Sequence, residues 1–156
     1  MVARLEIVIL EDARERRKIM APCLADLCPE YEVRFFHTAG ETISYLIDNL
    51  SRVLLICLDH DLEMIPIDGH RLIDPGSGRD VADFLATREA CCPIVIHSTN
   101  GIAVEGMKSV LGDAGWSIHR IVPVGVTRWI RKGWRQRVCD AFAEAGVSVA
   151  IDPEGS

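Results

Sequence analysis

The stretch VLLICLDHD, residues 53–61, decides the fold of this chain. It begins with six apolar residues and ends with Asp59, His60 and Asp61. An apolar run of this length that is rich in branched side chains predicts a strand buried on both faces. An unpaired carboxylate is costly to bury inside such a sheet. We therefore expect the three polar residues just past the carboxyl end of a central strand, where open α/β sheets bind ligands.

Strands are predicted on both sides of this stretch, and they alternate with amphipathic helices. The predicted strands cover residues 5–10, 31–36, 53–58, 94–96 and 117–122, and residues 147–151 add a short edge strand. This alternation predicts an α/β fold with a doubly wound, five-stranded parallel sheet of order 2-1-3-4-5. The 156 residues are expected to form a single domain.

The connections between these elements carry signals of their own. Asp12, Thr38 and Ser77 are predicted to cap the helices that follow them, with Glu41 completing a capping box after Thr38. Residues 60–77 are punctuated by Pro and Gly and lack a periodic pattern. We expect a long loop there, of the kind that often binds ligands or acts as a lid.

Composition excludes several classes of protein. The net charge of −6 provides no global basic field that would attract the chain to nucleic acid or to a membrane. No apolar run approaches the ~20 residues that span a bilayer, and the first residues, MVARLEIVIL, are too short and too soon acidic for a signal peptide. We therefore expect a cytoplasmic protein without a membrane partner. The six cysteines show no paired CxxC spacing, which predicts reduced thiols acting as small apolar side chains.

Polar residues follow three strands that the predicted order makes adjacent. They are Glu11 and Asp12 after strand one, Asp59, His60 and Asp61 after strand three, and His97, Ser98 and Asn100 after strand four. Carboxylates gathered at one place repel each other, and a hard divalent cation resolves that repulsion. Mg²⁺ suits the carboxylates, and the two histidines also allow Mn²⁺. The candidate metal ligands are Glu11, Asp12, Asp59 and Asp61.

The sequence leaves the arrangement of these side chains open. If strand geometry continues past Leu58, then Asp59 and Asp61 share one side and His60 faces the other; if the chain turns, all three converge. Structural alternatives also exist, because an Asp at a strand end commonly forms a turn or caps a helix. A histidine at such a position can equally lie in the core with its hydrogen bonds satisfied.

These motifs resemble the receiver domain of two-component response regulators over nearly the whole chain. VILEDARERR, residues 8–17, is similar to the acidic pair after strand one, and LLICLDHD, residues 54–61, places Asp59 at the phospho-acceptor position. PIVIHST, residues 93–99, places Ser98 or His97 at the hydroxyl residue after strand four. IPIDG, residues 65–69, resembles the family's proline-to-glycine turn, displaced by extra residues. The resemblance implies a receiver-like, that is flavodoxin-like, fold.

The chain departs from the receiver pattern after strand five. Receivers have a lysine next to proline there, whereas IVPVG, residues 121–125, has Val122 before Pro123. That lysine helps to hold the acyl phosphate, so its absence argues against an ordinary phosphorelay. The combination of LDHDL and HSTN instead resembles the cyclic-phosphate-processing receiver-like family. This second resemblance implies a metal-dependent phosphoester site.

The first functional hypothesis is metal-dependent hydrolysis of a cyclic or terminal phosphate on a small molecule, a nucleotide or an RNA end. In it, Asp59 is a metal ligand or a nucleophile, and His97 or His60 is a general acid or base. Ser98 and Asn100 bind phosphate oxygens, helped by the amino terminus of the next helix. The alternative is a stand-alone receiver phosphorylated on Asp59 in two-component signalling. A binding module without turnover is the third hypothesis.

The segment TRWIRKGWRQR, residues 127–137, combines basic and aromatic residues. Such a segment is able to bind phosphates or single-stranded nucleic acid by charge and stacking. Because the chain is acidic overall, we favour an amphipathic last helix, residues 127–145, with half-buried tryptophans and solvated arginines. In receivers, this helix also contributes to a surface for a signalling partner or a second copy, which is a third interpretation.

Overall fold

The structure is a computed structural model that describes residues 4–150. Its strands are β1 (Glu6–Leu10), β2 (Glu32–Phe36), β3 (Val53–Leu58), β4 (Ile65–Asp68), β5 (Arg71–Ile73), β6 (Ile94–His97) and β7 (Ile118–Ile121). Its helices are α1 (Arg14–Leu27), α2 (Ala39–Asn49), α3 (Gly78–Leu85), α4 (Gly101–Asp113) and α5 (Arg135–Glu144). A short 3-10 turn covers Leu50–Arg52, and a π-helical turn covers Ile130–Trp134.

Five parallel strands form one sheet in the order β2-β1-β3-β6-β7. Because β4 and β5 lie outside this sheet, the order is the predicted 2-1-3-4-5, and the doubly wound parallel sheet is confirmed. The register places Leu10 of β1 opposite Leu58 of β3, and Leu58 opposite Ile96 of β6. The next residue of each strand therefore begins the polar edge of the sheet.

Alternate residues of the central strands face two separate cores, one on each side of the sheet. The first core lies under α1 and α5 and contains Ile9 and Cys57. The second lies under α2, α3 and α4 and contains Leu10 and Leu58. Both faces of β1 and β3 are thus covered by apolar side chains, which explains why β3 is an unbroken apolar run and β1 is interrupted only by Glu6.

The segment between β3 and α3 contains a hairpin that the sequence did not predict. Strands β4 and β5 pair antiparallel, and they leave apolar side chains such as Ile67 and Leu72 exposed. Pro66 lies in β4, so only Gly69 of the proline-to-glycine turn expected at IPIDG lies in a turn. The hairpin instead turns after Asp68, whose Oδ1 accepts hydrogen bonds from the backbone amides of His70 and Arg71 at 2.9 and 3.1 Å.

The predicted edge strand at residues 147–151 is not present in the part of it that the structure describes. Residues 147–150 have no strand pairing, although the backbone amide of Ala150 donates to the carbonyl of Leu27 at 2.8 Å. Ile151 lies outside the described residues. The segment is therefore tied to the end of α1 by an isolated hydrogen bond, without a ladder.

Two of the three predicted helix caps are confirmed. Thr38 Oγ1 accepts from the Glu41 amide at 3.1 Å, and Ser77 forms a capping box with Asp80. The cap assigned to Asp12 was wrong, because α1 begins one residue later and its N-cap is Ala13. The Asp12 carboxylate instead accepts a hydrogen bond from the backbone amide of Glu63 at 2.6 Å.

The predictions for the cysteines and for the last helical segment are confirmed only in part. All six cysteines are free, with Cys23, Cys28 and Cys57 buried, Cys91 exposed, and Cys92 and Cys139 partly exposed. Trp129 and Trp134 are buried, so they were wrongly expected to be half-exposed and they offer no stacking surface for bases. No helix within residues 4–150 is long and apolar enough to cross a membrane.

The start of α3 passes so close to the end of β3 that it requires glycine. A Cβ atom at Gly78 would overlap the carbonyl oxygen of Asp59 and would lie 3.0 Å from His60 Cα. We expect Gly78→Ala to lower the free energy of unfolding by about 1–3 kcal/mol, because the backbone would have to shift. Urea denaturation measures this change.

Gly112→Ala is the matched control, because a Cβ atom at Gly112 in α4 would meet no atom within 4 Å. Helix propensity predicts that this control is neutral or gains up to about 1 kcal/mol. Equal stability of the two variants would contradict the close approach at Gly78.

Candidate functional site

Glu11, Asp59 and His97 form one row across the carboxyl edge of the sheet. The strand register aligns Leu10, Leu58 and Ile96, and the three residues of the row directly follow these positions in that order. Each also lies two residues after a strand residue that faces the core under α1 and α5, so strand alternation directs all three toward that side. One donor atom from each residue lies within 4.8 Å of the other two.

Glu11 and His97 form a fully buried pair, each with 0% of its side chain exposed. The Nε2 atom of His97 lies 2.7 Å from Glu11 Oε2, and Glu11 Oε1 accepts from the Ala13 amide at 3.1 Å. Burial alone would raise the pKa of Glu11, but the hydrogen bond with His97 and the positive charge of Arg16 hold that pKa below its ordinary value. Glu11 is therefore a buried carboxylate that its neighbours keep ionised.

Asp59 is held less tightly than Glu11. Its Oδ1 atom accepts from the His60 amide at 2.7 Å, while its Oδ2 atom lies 3.5 Å from Arg16 Nη1. Burial, assisted by the negative charge of Glu11, raises the pKa of Asp59 to about 7, against the lowering effects of His97 and Arg16. Of the two carboxylates, Asp59 is thus the one with incompletely compensated charge.

Arg16 and Trp129 complete the surroundings of the row. Arg16 Nη1 lies 3.6 Å from Glu11 Oε2 and 3.5 Å from Asp59 Oδ2. The Arg16 guanidinium also lies over the Trp129 ring, 5.3 Å from its centroid, and that ring stacks on His97 at 5.6 Å and 29°. One indole therefore supports both the cation and the imidazole of the site.

The structure brings together only some of the residues that the sequence proposed for the site. Asp12 and Asp61 do not belong to the three-residue donor cluster found among residues 4–150. Asp61 is 64% exposed, and its Oδ1 atom lies 2.8 Å from Nδ1 of His60. These two residues form a separate imidazole–carboxylate pair at the rim of the site.

Ser98 and Asn100 shape the turn into α4. Ser98 Oγ accepts from the Asn100 amide at 3.0 Å, and Asn100 Oδ1 caps the helix by accepting from the Ala103 amide at 3.1 Å. The hydroxyl hydrogen of Ser98 and the side-chain NH₂ group of Asn100 remain as donors for a ligand. Strand alternation makes His97, and not Ser98, the β6 residue that lies in the row with Asp59.

The donor cluster fits a divalent cation. Two carboxylate oxygens are the ligands that Mg²⁺ prefers, and an imidazole nitrogen next to them is acceptable to Mn²⁺. Burial raises the pKa of Asp59, and a cation beside it would stabilise its charged form. Nδ1 of His97 is also buried and has no hydrogen-bond partner among residues 4–150.

A family model described as the cyclic-phosphate processing receiver domain matches residues 6–113, more than half of the chain. The chain belongs to this family. The match covers all three strands that carry the row, and it ends at the last residue of α4. No curated protein matches this receiver domain.

Solved structures of response regulators share the fold of this receiver domain. The phosphorylated cyanobacterial phytochrome response regulator RcpA is 20% identical, with a TM-score of 0.62 over 96% of this chain and 100% of that one. The Mn²⁺-bound response regulator Rcp1 is 15% identical, with a TM-score of 0.64 over 94% and 99%. A chain of the CheX–CheY–BeF₃–Mg²⁺ complex from Borrelia burgdorferi is 12% identical, with a TM-score of 0.59 over 88% and 89%.

Sequence reasoning about this receiver missed two side chains of the site. Arg16 was one of several basic residues early in α1, and Trp129 was assigned to a basic and aromatic segment. The position before Pro123 is Val122, which is 45% exposed, so no lysine approaches the row from there. The signal that would have found Arg16 is its position in the first turn of α1, just after the acidic pair.

The raised pKa of Asp59 predicts a specific dependence of stability on pH. The folded receiver keeps a proton on Asp59 that the unfolded chain releases near the ordinary value of 3.8, so this stabilising contribution is lost as pH rises toward about 7. In buffer with a chelator, Asp59→Asn should therefore gain stability relative to wild type between about pH 5 and about pH 8. Urea unfolding at both values measures this difference.

Asp48→Asn serves as the control, because Asp48 is an exposed carboxylate on α2, away from the row. Its stability relative to wild type should change little over the same pH range. A constant difference between Asp59→Asn and wild type would mean that Asp59 titrates normally in the folded receiver.

Proposed function

We propose that this receiver domain accepts a phosphoryl group on Asp59 in a reaction that needs a divalent cation. The observation that carries the proposal is the position of Asp59, at the end of the central strand and in one row with Glu11 and His97. Ligands of open α/β sheets bind at this edge. The solved response regulators of the same fold that contain Mn²⁺, or BeF₃ with Mg²⁺, support the choice of chemistry.

Glu11 and Asp59 would hold the cation, with His97 as the third donor. Asp12 and Asp61 are candidate ligands only after rearrangement, since Asp12 accepts from Glu63 and Asp61 contacts His60. When bound, the cation would neutralise charge on the phosphoryl oxygens and on the carboxylates. Mg²⁺ and Mn²⁺ both suit this set of donors.

The chain supplies the nucleophile of the proposed reaction. A carboxylate oxygen of Asp59 attacks the phosphorus atom of a small phosphodonor, and the bond from phosphorus to the leaving group breaks with its electron pair on that group. The product is an acyl phosphate, which water returns to a carboxylate and inorganic phosphate. Ser98 and Asn100 donate hydrogen bonds to phosphoryl oxygens beside the amino terminus of α4.

A second candidate function is hydrolysis of a cyclic phosphate. It is favoured by the His60–Asp61 pair at the rim and by the description of the family. Asp61 orients the imidazole through Nδ1, which leaves Nε2 to take a proton from the attacking water. A new P–O bond forms, and the ring P–O bond breaks with its electron pair on the alkoxide oxygen, which then takes up a proton. The buried His97 holds Glu11 and has no exposed atom for this task.

The first test is incorporation of phosphate from acetyl phosphate in the presence of Mg²⁺, followed by mass spectrometry of the intact protein. We expect one phosphoryl group on the wild type, no incorporation on Asp59→Asn, and no incorporation when a chelator removes the metal. Asp48→Asn, which removes an exposed carboxylate on α2 away from the row, should retain incorporation. Equal incorporation on Asp59→Asn would place the acceptor elsewhere and contradict the proposal.

The second candidate is tested by hydrolysis of 2′,3′-cyclic nucleotides with Mg²⁺ or Mn²⁺. Loss of a general acid or base typically lowers the rate by about 10²–10⁴-fold, so His60→Ala should show a loss of this size. His70→Ala is the matched control, because His70 lies at the exposed turn of the hairpin. Absence of hydrolysis by wild type, together with incorporation on Asp59, would exclude the second candidate.

A further inference from the structure

The proposed phosphoryl group would bring additional negative charge to an edge that already contains two buried carboxylates. Glu11 is fully buried and Asp59 is only 5% exposed, so water screens their charges weakly. The positive charge of one divalent cation is smaller than the combined negative charge of the carboxylates and the phosphoryl group, so it compensates the phosphoryl oxygens only in part. Phosphoryl groups in such sites depend on positively charged side chains as well as on metal ions.

Arg16 is the basic side chain that lies at this position. In the part of the chain that the structure describes, the ion pairs of Asp59 involve Arg16 alone. The neighbouring Arg17 points its guanidinium elsewhere, since it donates to the carbonyl oxygens of Glu11 and Asp12 at 3.0 and 2.6 Å. Arg17 therefore fixes the backbone of the acidic pair, while Arg16 faces the carboxylates.

The contacts of Arg16 leave its guanidinium available to a ligand. Its distances to the two carboxylates, 3.5 and 3.6 Å, exceed the 2.7–2.9 Å typical of a tight charge-assisted hydrogen bond. The side chain is 26% exposed, so its remaining N–H groups reach solvent at the mouth of the site. A planar guanidinium with several donors matches two oxygens of a phosphoryl group.

Trp129 keeps Arg16 in this place without using its hydrogen-bond donors. The guanidinium lies over the indole, 5.3 Å from the ring centroid, and the same ring stacks on His97. Trp129 is 5% exposed and belongs to the core under α1 and α5, so it is a fixed platform. Cation–π contact orients the guanidinium and leaves its in-plane N–H groups free.

We propose that Arg16, held on Trp129, binds the oxygens of the phosphoryl group on Asp59. This assignment rests on the proposed function of Asp59, and it gives the receiver a phosphoryl-binding cation that comes from α1. Arg16 would thus provide the positive charge that the lysine after strand five provides in other receivers, since this chain has Val122 before Pro123.

The experiment compares Arg16→Gln, Arg16→Lys and Arg14→Gln with wild type. The first readout is the Kd of Mg²⁺ alone, and the second is the Kd of beryllofluoride, an analogue of the phosphoryl group, at saturating Mg²⁺. Both are measured by isothermal titration calorimetry, with thermal melting to check that each variant is folded. Arg14→Gln is the matched control, because Arg14 is an exposed arginine on the same helix.

We expect Arg16→Gln to weaken beryllofluoride binding by about tenfold or more, because a hydrogen bond to a charged group is lost. Mg²⁺ affinity should stay the same or increase, since Arg16 no longer neutralises the carboxylates. Arg16→Lys should recover part of the beryllofluoride affinity, because lysine restores the charge but lacks the planar set of donors. Arg14→Gln should match wild type in both measurements.

Three results would overturn the inference while leaving the proposed function intact. The first is a loss of beryllofluoride affinity below about threefold in Arg16→Gln. The second is a parallel loss of Mg²⁺ affinity, which would indicate damage to the whole site. The third is an equal loss in Arg14→Gln, which would indicate a general effect of charge. Failure of the wild type to bind beryllofluoride would instead overturn the proposed function, and this inference with it.

Discussion

Burial of two carboxylates side by side is the constraint on which the rest of this edge depends. Glu11 and Asp59 are brought together by a register that serves the apolar core, and they lie where water cannot screen them. Each neighbouring group offsets part of that cost. His97 and the Ala13 amide satisfy Glu11, whereas Asp59 receives one backbone amide and a distant guanidinium. The difference between the two carboxylates is the source of the chemistry proposed for Asp59.

Much of this fold could be predicted from the sequence because its signals are local and redundant. The apolar runs of β1 and β3 require burial on both faces, and alternating strands and helices then allow few topologies. The same reasoning extends to the row of Glu11, Asp59 and His97. Once the strands are parallel and aligned, the first polar residue after each one lies at the same edge, and alternation selects the side that it faces.

Other features could not be predicted because they depend on tertiary position. Asp12 had the correct residue type for a helix cap, but the amide of Glu63 offered it a partner from another segment. Pro66 suggested a turn, yet it lies in a strand of a two-stranded hairpin, where proline is tolerated at an edge. The contact between Arg16 and Trp129 joins residues that are far apart in sequence, and no local pattern indicates such a pair.

The hydrogen bond from the Gly78 amide to the carbonyl of His60, at 3.0 Å, has a consequence for the hairpin between them. It joins the two ends of the segment between β3 and α3, so the chain leaves the sheet and returns at almost the same point. The free energy of closing such a loop depends only weakly on its length. β4 and β5 thus form a peripheral hairpin beside the site. A longer, shorter or different hairpin would leave the strands beneath it in place.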